Sequence, residues 1–173
     1  MSKNLVLTGM MGVGKSTIGK NLAKKLKFKF VDIDSLIERK EKRKISEIFK
    51  IKGESYFRKA EEKITLDAIK KENLVISLGG GGFLSKQVRN ELIENSVTIW
   101  LDLSIKSILK RLKNIEKRPL LDKENLEVSI NKIYSERKKI YNQAHHRIKC
   151  DLLEMGKIVQ KIIKIYENSR KKI

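Results

Sequence analysis

The chain has 173 residues, with 40 Lys and Arg against 21 Asp and Glu for a formal charge of +19. That length suits one domain with a sizeable core. The lone Cys150 excludes an intramolecular disulfide and fits a reducing cytosol as a small buried hydrophobe, and no apolar run approaches the roughly 18 residues of a membrane span.

The charge is compatible with a nucleic-acid partner, a membrane surface, or only a soluble surface that faces anionic small molecules. The bases are mostly Lys, spread along the whole chain and interleaved with Glu. That favours a generally cationic surface that steers anionic substrates. The first apolar run is not followed by a small-residue cleavage site, so a cytoplasmic protein is expected.

In chain order, Lys3 to Leu7 is an apolar run of strand length, and Ile18, Leu22 and Leu26 recur at helical spacing further on. Between them Gly9-Met10-Met11-Gly12-Val13-Gly14-Lys15-Ser16-Thr17 matches G-x-x-x-x-G-K-[ST] in full. Gly9, Gly12 and Gly14 permit positive φ, so successive N–H groups, Val13 included, can wrap a phosphate at a helix N-terminus. Lys15 would reach the β- and γ-phosphate oxygens, Ser16 would take one Mg²⁺ coordination position, and Thr17 would support the turn.

Phe28 to Asp34 reads as a second strand ending in two acids that face the same crevice. Asp32 is a candidate Mg²⁺ ligand through water, and Asp34 a candidate to orient and deprotonate a hydroxyl acceptor. Helix capping is the competing reading, and Ser35 to Glu38 satisfies a capping box unaided. Residues 45 to 71 read as helix broken near Gly53, with Arg58 either a carboxylate fork or part of a solvated face. Leu74 to Leu78 is a buried strand running into Gly79-Gly80-Gly81-Gly82, where backbone can approach a ligand closely.

Val97 to Leu103 reads as the fourth strand and Arg147 to Cys150 as the fifth, with a helix over 125 to 143 between them. Pro119, the sole proline, lies in Leu109 to Glu124, which reads either as a loop or as a closing lid exposing Lys113, Lys117 and Lys123. Adjacent His145 and His146 share no helix face, which argues against a metal pair. The last helix, about 155 to 170, sets Ile158, Ile162 and Ile165 against Lys157, Lys161 and Lys164. Alternating strands and helices argue for an α/β fold with a parallel sheet between helices.

The whole chain resembles shikimate kinase, a P-loop kinase of the nucleoside-monophosphate-kinase type. Asp32-Ile33-Asp34 looks like the family's D-x-D, Phe57-Arg58 its F-R, Gly79-Gly80-Gly81 its triple glycine, and Arg118-Pro119-Leu120-Leu121 its R-P-L-L lid signature. Tyr134 to Arg137 with Tyr141 is similar to its R-x-x-x-Y helix. The resemblance runs from about residue 4 to 150. It implies one three-layer domain over 1–173 with five parallel strands in the order 2-3-1-4-5, a substrate-binding region near 34–62, and a mobile lid near 112–124. It also implies transfer of the γ-phosphoryl of MgATP to the 3-hydroxyl of shikimate in aromatic amino-acid biosynthesis.

On that resemblance Asp34 is the base, Arg58 and Arg137 hold the substrate carboxylate, and the Gly79 to Gly81 backbone lines the same pocket. Arg118 neutralises charge on the transferring phosphoryl with Lys15, and Arg111 stacks on adenine. The family more often shows an acid after Ala144, where this chain has His145. The partners implied are ATP, Mg²⁺ and shikimate, acting on a monomer with neither nucleic acid nor membrane. Two other readings remain open: a kinase for another small hydroxy acid such as gluconate, and a P-loop nucleic-acid binder suggested only by charge. The Leu74 to Leu78 strand ends in glycine where the nucleic-acid binder would more naturally place an acid, and Asn131 to Tyr134 does not complete N-K-x-D, which disfavours a GTPase.

Overall fold

Residues 3–112, 119–122 and 124–170 are described by the computed structural model. The lid expectations at Arg118, Lys113, Lys117 and Lys123 lie outside them. Five strands, β1 (Asn4–Thr8), β2 (Lys29–Asp32), β3 (Leu74–Ser77), β4 (Ser96–Asp102) and β5 (His146–Lys149), form one sheet in the order β2-β3-β1-β4-β5. All neighbours are parallel, with Val6 beside Ile76 and Thr98, and Val31 beside Ile76. The three central strands are buried throughout, whereas β2 and β5 at the edges are partly exposed. This explains why the central strands read as continuous apolar runs.

The helices are α1 (Lys15–Leu26), α2 (Ile33–Glu41), α3 (Ile45–Ile69), α4 (Lys86–Asn95), α5 (Ile105–Arg111), α6 (Leu126–Tyr141) and α7 (Met155–Arg170). They cover both faces of the sheet, and Trp100, Tyr141, Tyr166 and Phe83 are among the largest fully buried side chains. In α7, Ile158 and Ile162 are buried, while Lys157, Lys161 and Lys164 are exposed. No described helix is long and apolar enough to cross a membrane.

The architecture follows the sequence expectation, with two local corrections. The second strand stops at Asp32, because Asp32 caps α2: its Oδ1 accepts from the Ser35 N–H at 3.2 Å. Asp34 therefore sits in the first turn of a helix rather than at a strand end, and Ser35 is a recipient of the cap, not its source. Leu109 to Arg111, read with the loop or lid over 109 to 124, belong instead to α5, which ends before the lid expected near 112–124.

Gly53 breaks α3 with φ 79° and ψ 169°. Lys52 and Tyr56 brace the break from either side, each bonding Glu41 of α2, at 2.7 and 2.9 Å. His145, just before β5, is bonded to β4: its Nδ1 accepts from the Thr98 N–H at 3.2 Å, and its own N–H donates to Thr98 Oγ1 at 2.9 Å.

Candidate active site

Parallel topology puts the C-terminal ends of β1, β2 and β3 along one rim, where open α/β sheets bind ligands. Gly9, Gly12 and Gly14 have φ of 136°, 75° and 95°, the left-handed backbone the phosphate-loop motif requires. Val13 turns its side chain into the core, so it offers the hollow only backbone. Lys15 Nζ is buried over the loop and donates to the Gly9 and Met10 carbonyls at 2.9 and 2.8 Å. The Ser16 hydroxyl donates to Asp32 Oδ2 at 2.5 Å, which brings the two expected metal-binding groups together. Thr17 is exposed in the first turn of α1.

Asp34 has a buried Oδ1 with no hydrogen-bond partner among the described residues. Burial, reinforced by the Glu61 and Asp32 carboxylates, pushes its pKa up to about 6, with Lys15 and Arg58 pulling the other way. Glu61 did not stand out in the sequence. It is 3 % exposed; its Oε2 accepts from Arg58 Nη1 at 2.6 Å, and its Oε1 is also unpartnered. Burial raises the Glu61 pKa, and Arg58 offsets part of that. The one sequence signal was spacing: Glu61 stands one turn beyond Arg58 on the same helix face.

Arg58 is accordingly no solvated surface residue. Its fork is shared between Glu61 and the more exposed Glu54, which accepts from Nε at 3.2 Å and from Nη2 at 3.1 Å. Burial opposes the charge on Arg58, but Glu61 and Glu54 outweigh it and raise the pKa further.

The glycine run is required for close approach rather than for positive φ. A Cβ on Gly79 would lie 2.5 Å from both Asp34 Oδ1 and Glu61 Oε1, and one on Gly81 would land inside the Arg58 guanidinium. The Gly80 carbonyl accepts from Arg137 Nη1 at 3.0 Å and from the Tyr141 hydroxyl at 2.5 Å.

Two hollows meet at this point. One is lined by the phosphate loop, Lys15, Ser16 and Asp32, and the other by Arg58, Glu61, Arg137 and the apolar Phe49 and Phe57. Met11, Asp34 and Gly80 line both. From the expected lid, Pro119 and Leu120 close one side of the second hollow. Arg111 is exposed in the last turn of α5, and Leu112 packs beside Gly12. An ionisable acid between an anion-binding loop and a pocket with two arginines is suited to moving a phosphoryl group onto a hydroxyl of an anionic acceptor.

Residues 11–167 match the family model described as shikimate kinase, which reaches beyond residue 150 into α7. The chain is 47% identical to the shikimate kinase of Sulfurihydrogenibium sp. (strain YO3AOP1) over 161 residues, 93% of this chain and 96% of that one. It is 44% identical to that of Persephonella marina over 93% of this chain and 97% of the other. Among solved structures, shikimate kinase from Acinetobacter baumannii in complex with shikimate superposes with TM-score 0.93 at 30% identity, covering 98% and 95% of the two chains. A gluconokinase from Sinorhizobium meliloti shares the fold alone, at TM-score 0.60 and 14% identity over 98% and 97% of the two chains.

Proposed function

The chain belongs to the shikimate kinase family, and on that premise we propose that it transfers the γ-phosphoryl of MgATP to the 3-hydroxyl of shikimate, as a cytoplasmic monomer in aromatic amino-acid biosynthesis. The observation that carries this reading is Asp34: a carboxylate that lines both the phosphate-loop hollow and the arginine-lined hollow, with its Oδ1 buried and unpartnered among the described residues. No other acid among the described residues lines both hollows.

Asp34 aligns the acceptor hydroxyl and takes its proton as the bond to phosphorus forms. Lys15 leaves the loop carbonyls for the β- and γ-phosphate oxygens, while the N–H groups of Gly12 to Thr17 enclose the phosphates. Arg137 and Arg58 receive the acceptor carboxylate, which displaces the exposed Glu54 from the Arg58 fork while buried Glu61 stays. Of the Gly79 to Gly81 backbone assigned to the same pocket, Gly80 and Gly81 line it, and Gly79 packs against Asp34 and Glu61. Arg111 and Arg118 are assigned to the nucleotide, Arg118 to its transferring phosphoryl.

The Ser16 and Asp32 oxygens, already 2.5 Å apart, suit a hard cation that keeps most of its waters. Ser16 would hold Mg²⁺ directly and Asp32 through water, and the ion would supply charge neutralisation across the phosphates.

A coupled ADP-release assay with MgATP tests the reaction. Release that depends on shikimate is expected, with gluconate and no acceptor near background; equal release without acceptor, or a response to gluconate alone, would sink the reading. Arg58→Lys keeps the charge but loses the planar fork, so the shikimate KM should rise about tenfold with kcat little changed. An unaltered KM would remove Arg58 from the acceptor site.

A further inference from the structure

Arg137 is 7 % exposed, yet its helix reaches the site from the far side of the sheet order, after β4. A long side chain can point a fork at a carboxylate only if its helix is fixed in both rotation and height. Tyr134, Arg137 and Tyr141 stand at i, i+3 and i+7 on α6, along one face. Each of the three makes a polar bond to another part of the molecule, Tyr134 to the end of β4 and both Arg137 and Tyr141 to the glycine run.

The Tyr141 hydroxyl is buried and donates to the Gly80 carbonyl, the same oxygen that accepts from Arg137 Nη1. A carbonyl has two lone pairs, and these two donors account for both. The Tyr141 bond thus fixes the partner that aims Arg137. One end of α6 is pinned to the glycine run at the wall of the acceptor hollow.

Two turns earlier the Tyr134 hydroxyl donates to Asp102 Oδ1 at 2.9 Å, at the end of β4. Asp102 is itself held: its Oδ2 accepts from Arg147 Nε and Nη2 at 3.0 and 2.6 Å, and Arg147 lies 4.5 Å over the Trp100 ring. Burial and the Asp102 carboxylate push the Tyr134 pKa up to about 12, so the phenol stays a donor throughout the working range. Arg137 sits between a pin to β4 and a pin to the glycine run.

We propose that Tyr134 and Tyr141 are positioning residues that hold α6 so that Arg137 presents its free edge to the acceptor carboxylate. The inference rests on the assignment of Arg137 to that carboxylate. Neither tyrosine lines the phosphate hollow, so their effect falls first on the acceptor.

The test is steady-state kinetics of Tyr134→Phe, Tyr141→Phe and Arg137→Met, with each tyrosine change repeated in the Arg137→Met background and melting followed for all. Tyr141→Phe should raise the shikimate KM about fivefold, the loss of one hydrogen bond, and Tyr134→Phe about twofold to threefold, with ATP KM unchanged. In the Arg137→Met background both effects should vanish, because no fork remains to be aimed. A role confined to stability predicts lower melting with unchanged shikimate KM, and that result overturns the proposal. Tyrosine effects that persist in the Arg137→Met background overturn it as well. If Arg137→Met leaves the shikimate KM intact, the assignment of Arg137 falls and takes the proposal with it. If Arg137→Met raises that KM while both tyrosine variants match wild type, only the positioning fails. Should Tyr141→Phe not fold, Tyr134→Phe at its half-buried site decides alone.

Discussion

Asp34→Asn is expected to lower kcat by about 10³-fold, the scale of a lost general base, while ATP affinity stays near wild type. The substitution keeps the shape of the side chain and removes only its charge and basicity. It leaves Ser16, Asp32 and Lys15 untouched, so the phosphate hollow remains intact. The wild-type pH profile should carry the same signature. Because Asp34 titrates near 6 in the free enzyme and must be ionised to accept a proton, kcat/KM for shikimate should fall below about pH 6.

Stability should move the other way. The folded-state pKa of about 6 lies above the unfolded value of about 3.9, so this group favours the fold when protonated. Its contribution is fully present below pH 4 and is lost as pH rises through 6. At pH 8 the native state therefore holds an ionised carboxylate with one buried oxygen in the field of Glu61 and Asp32. Asp34→Asn should raise the melting temperature at pH 8, the usual exchange of activity for stability at a strained site. Turnover within a few-fold of wild type would remove Asp34 from the mechanism, and a lower melting temperature would contradict the electrostatic account.

Most of this site was legible because its chemistry is carried by backbone geometry and short spacing. Gly9, Gly12 and Gly14 announce positive φ, and the apolar runs of β1, β3 and β4 announce a buried parallel sheet whose C-terminal rim gathers the loops. Glycines at 79 to 81 are a comparable signal, explained by what a Cβ there would strike. Glu61 was not legible, since one glutamate in a helix rich in Lys and Glu looks solvated, and only tertiary burial beneath the glycine run sets it apart. Asp34 misled for a different reason. Two acids after an apolar run read as one strand terminus, but Asp32 both ends β2 and caps α2, and its bond to the Ser35 N–H puts Asp34 in the helix. The partners of Tyr134 and Tyr141 lie 32 and 61 positions away, beyond the reach of any local pattern.

Gly9→Ala should have the largest effect on the fold itself. The residue lies at φ 136°, where an L side chain is strained at a cost of about 1–3 kcal/mol. A Cβ there would also collide with the Leu101 carbonyl oxygen and approach Trp100 Cδ1 to 3.4 Å. Unlike Gly81, whose obstacle is the far end of the Arg58 side chain, Gly9 faces backbone that has no rotamer to escape into. Leu101 belongs to the central strand β4, which is bonded on one side to β1 and on the other to β5. Moving it would disturb Asp102 and, through Tyr134, the seat of α6. Strain and clash together predict a loss of about 4 kcal/mol, which for a chain of this length lowers the melting temperature by roughly 10 °C. Nucleotide affinity should fall with it, because the Gly9 carbonyl accepts from Lys15 Nζ. Thermal melting and ADP titration read these two consequences separately. A variant melting within a few degrees of wild type and binding ADP normally would show that the β1 and β4 ends yield more easily than their burial implies.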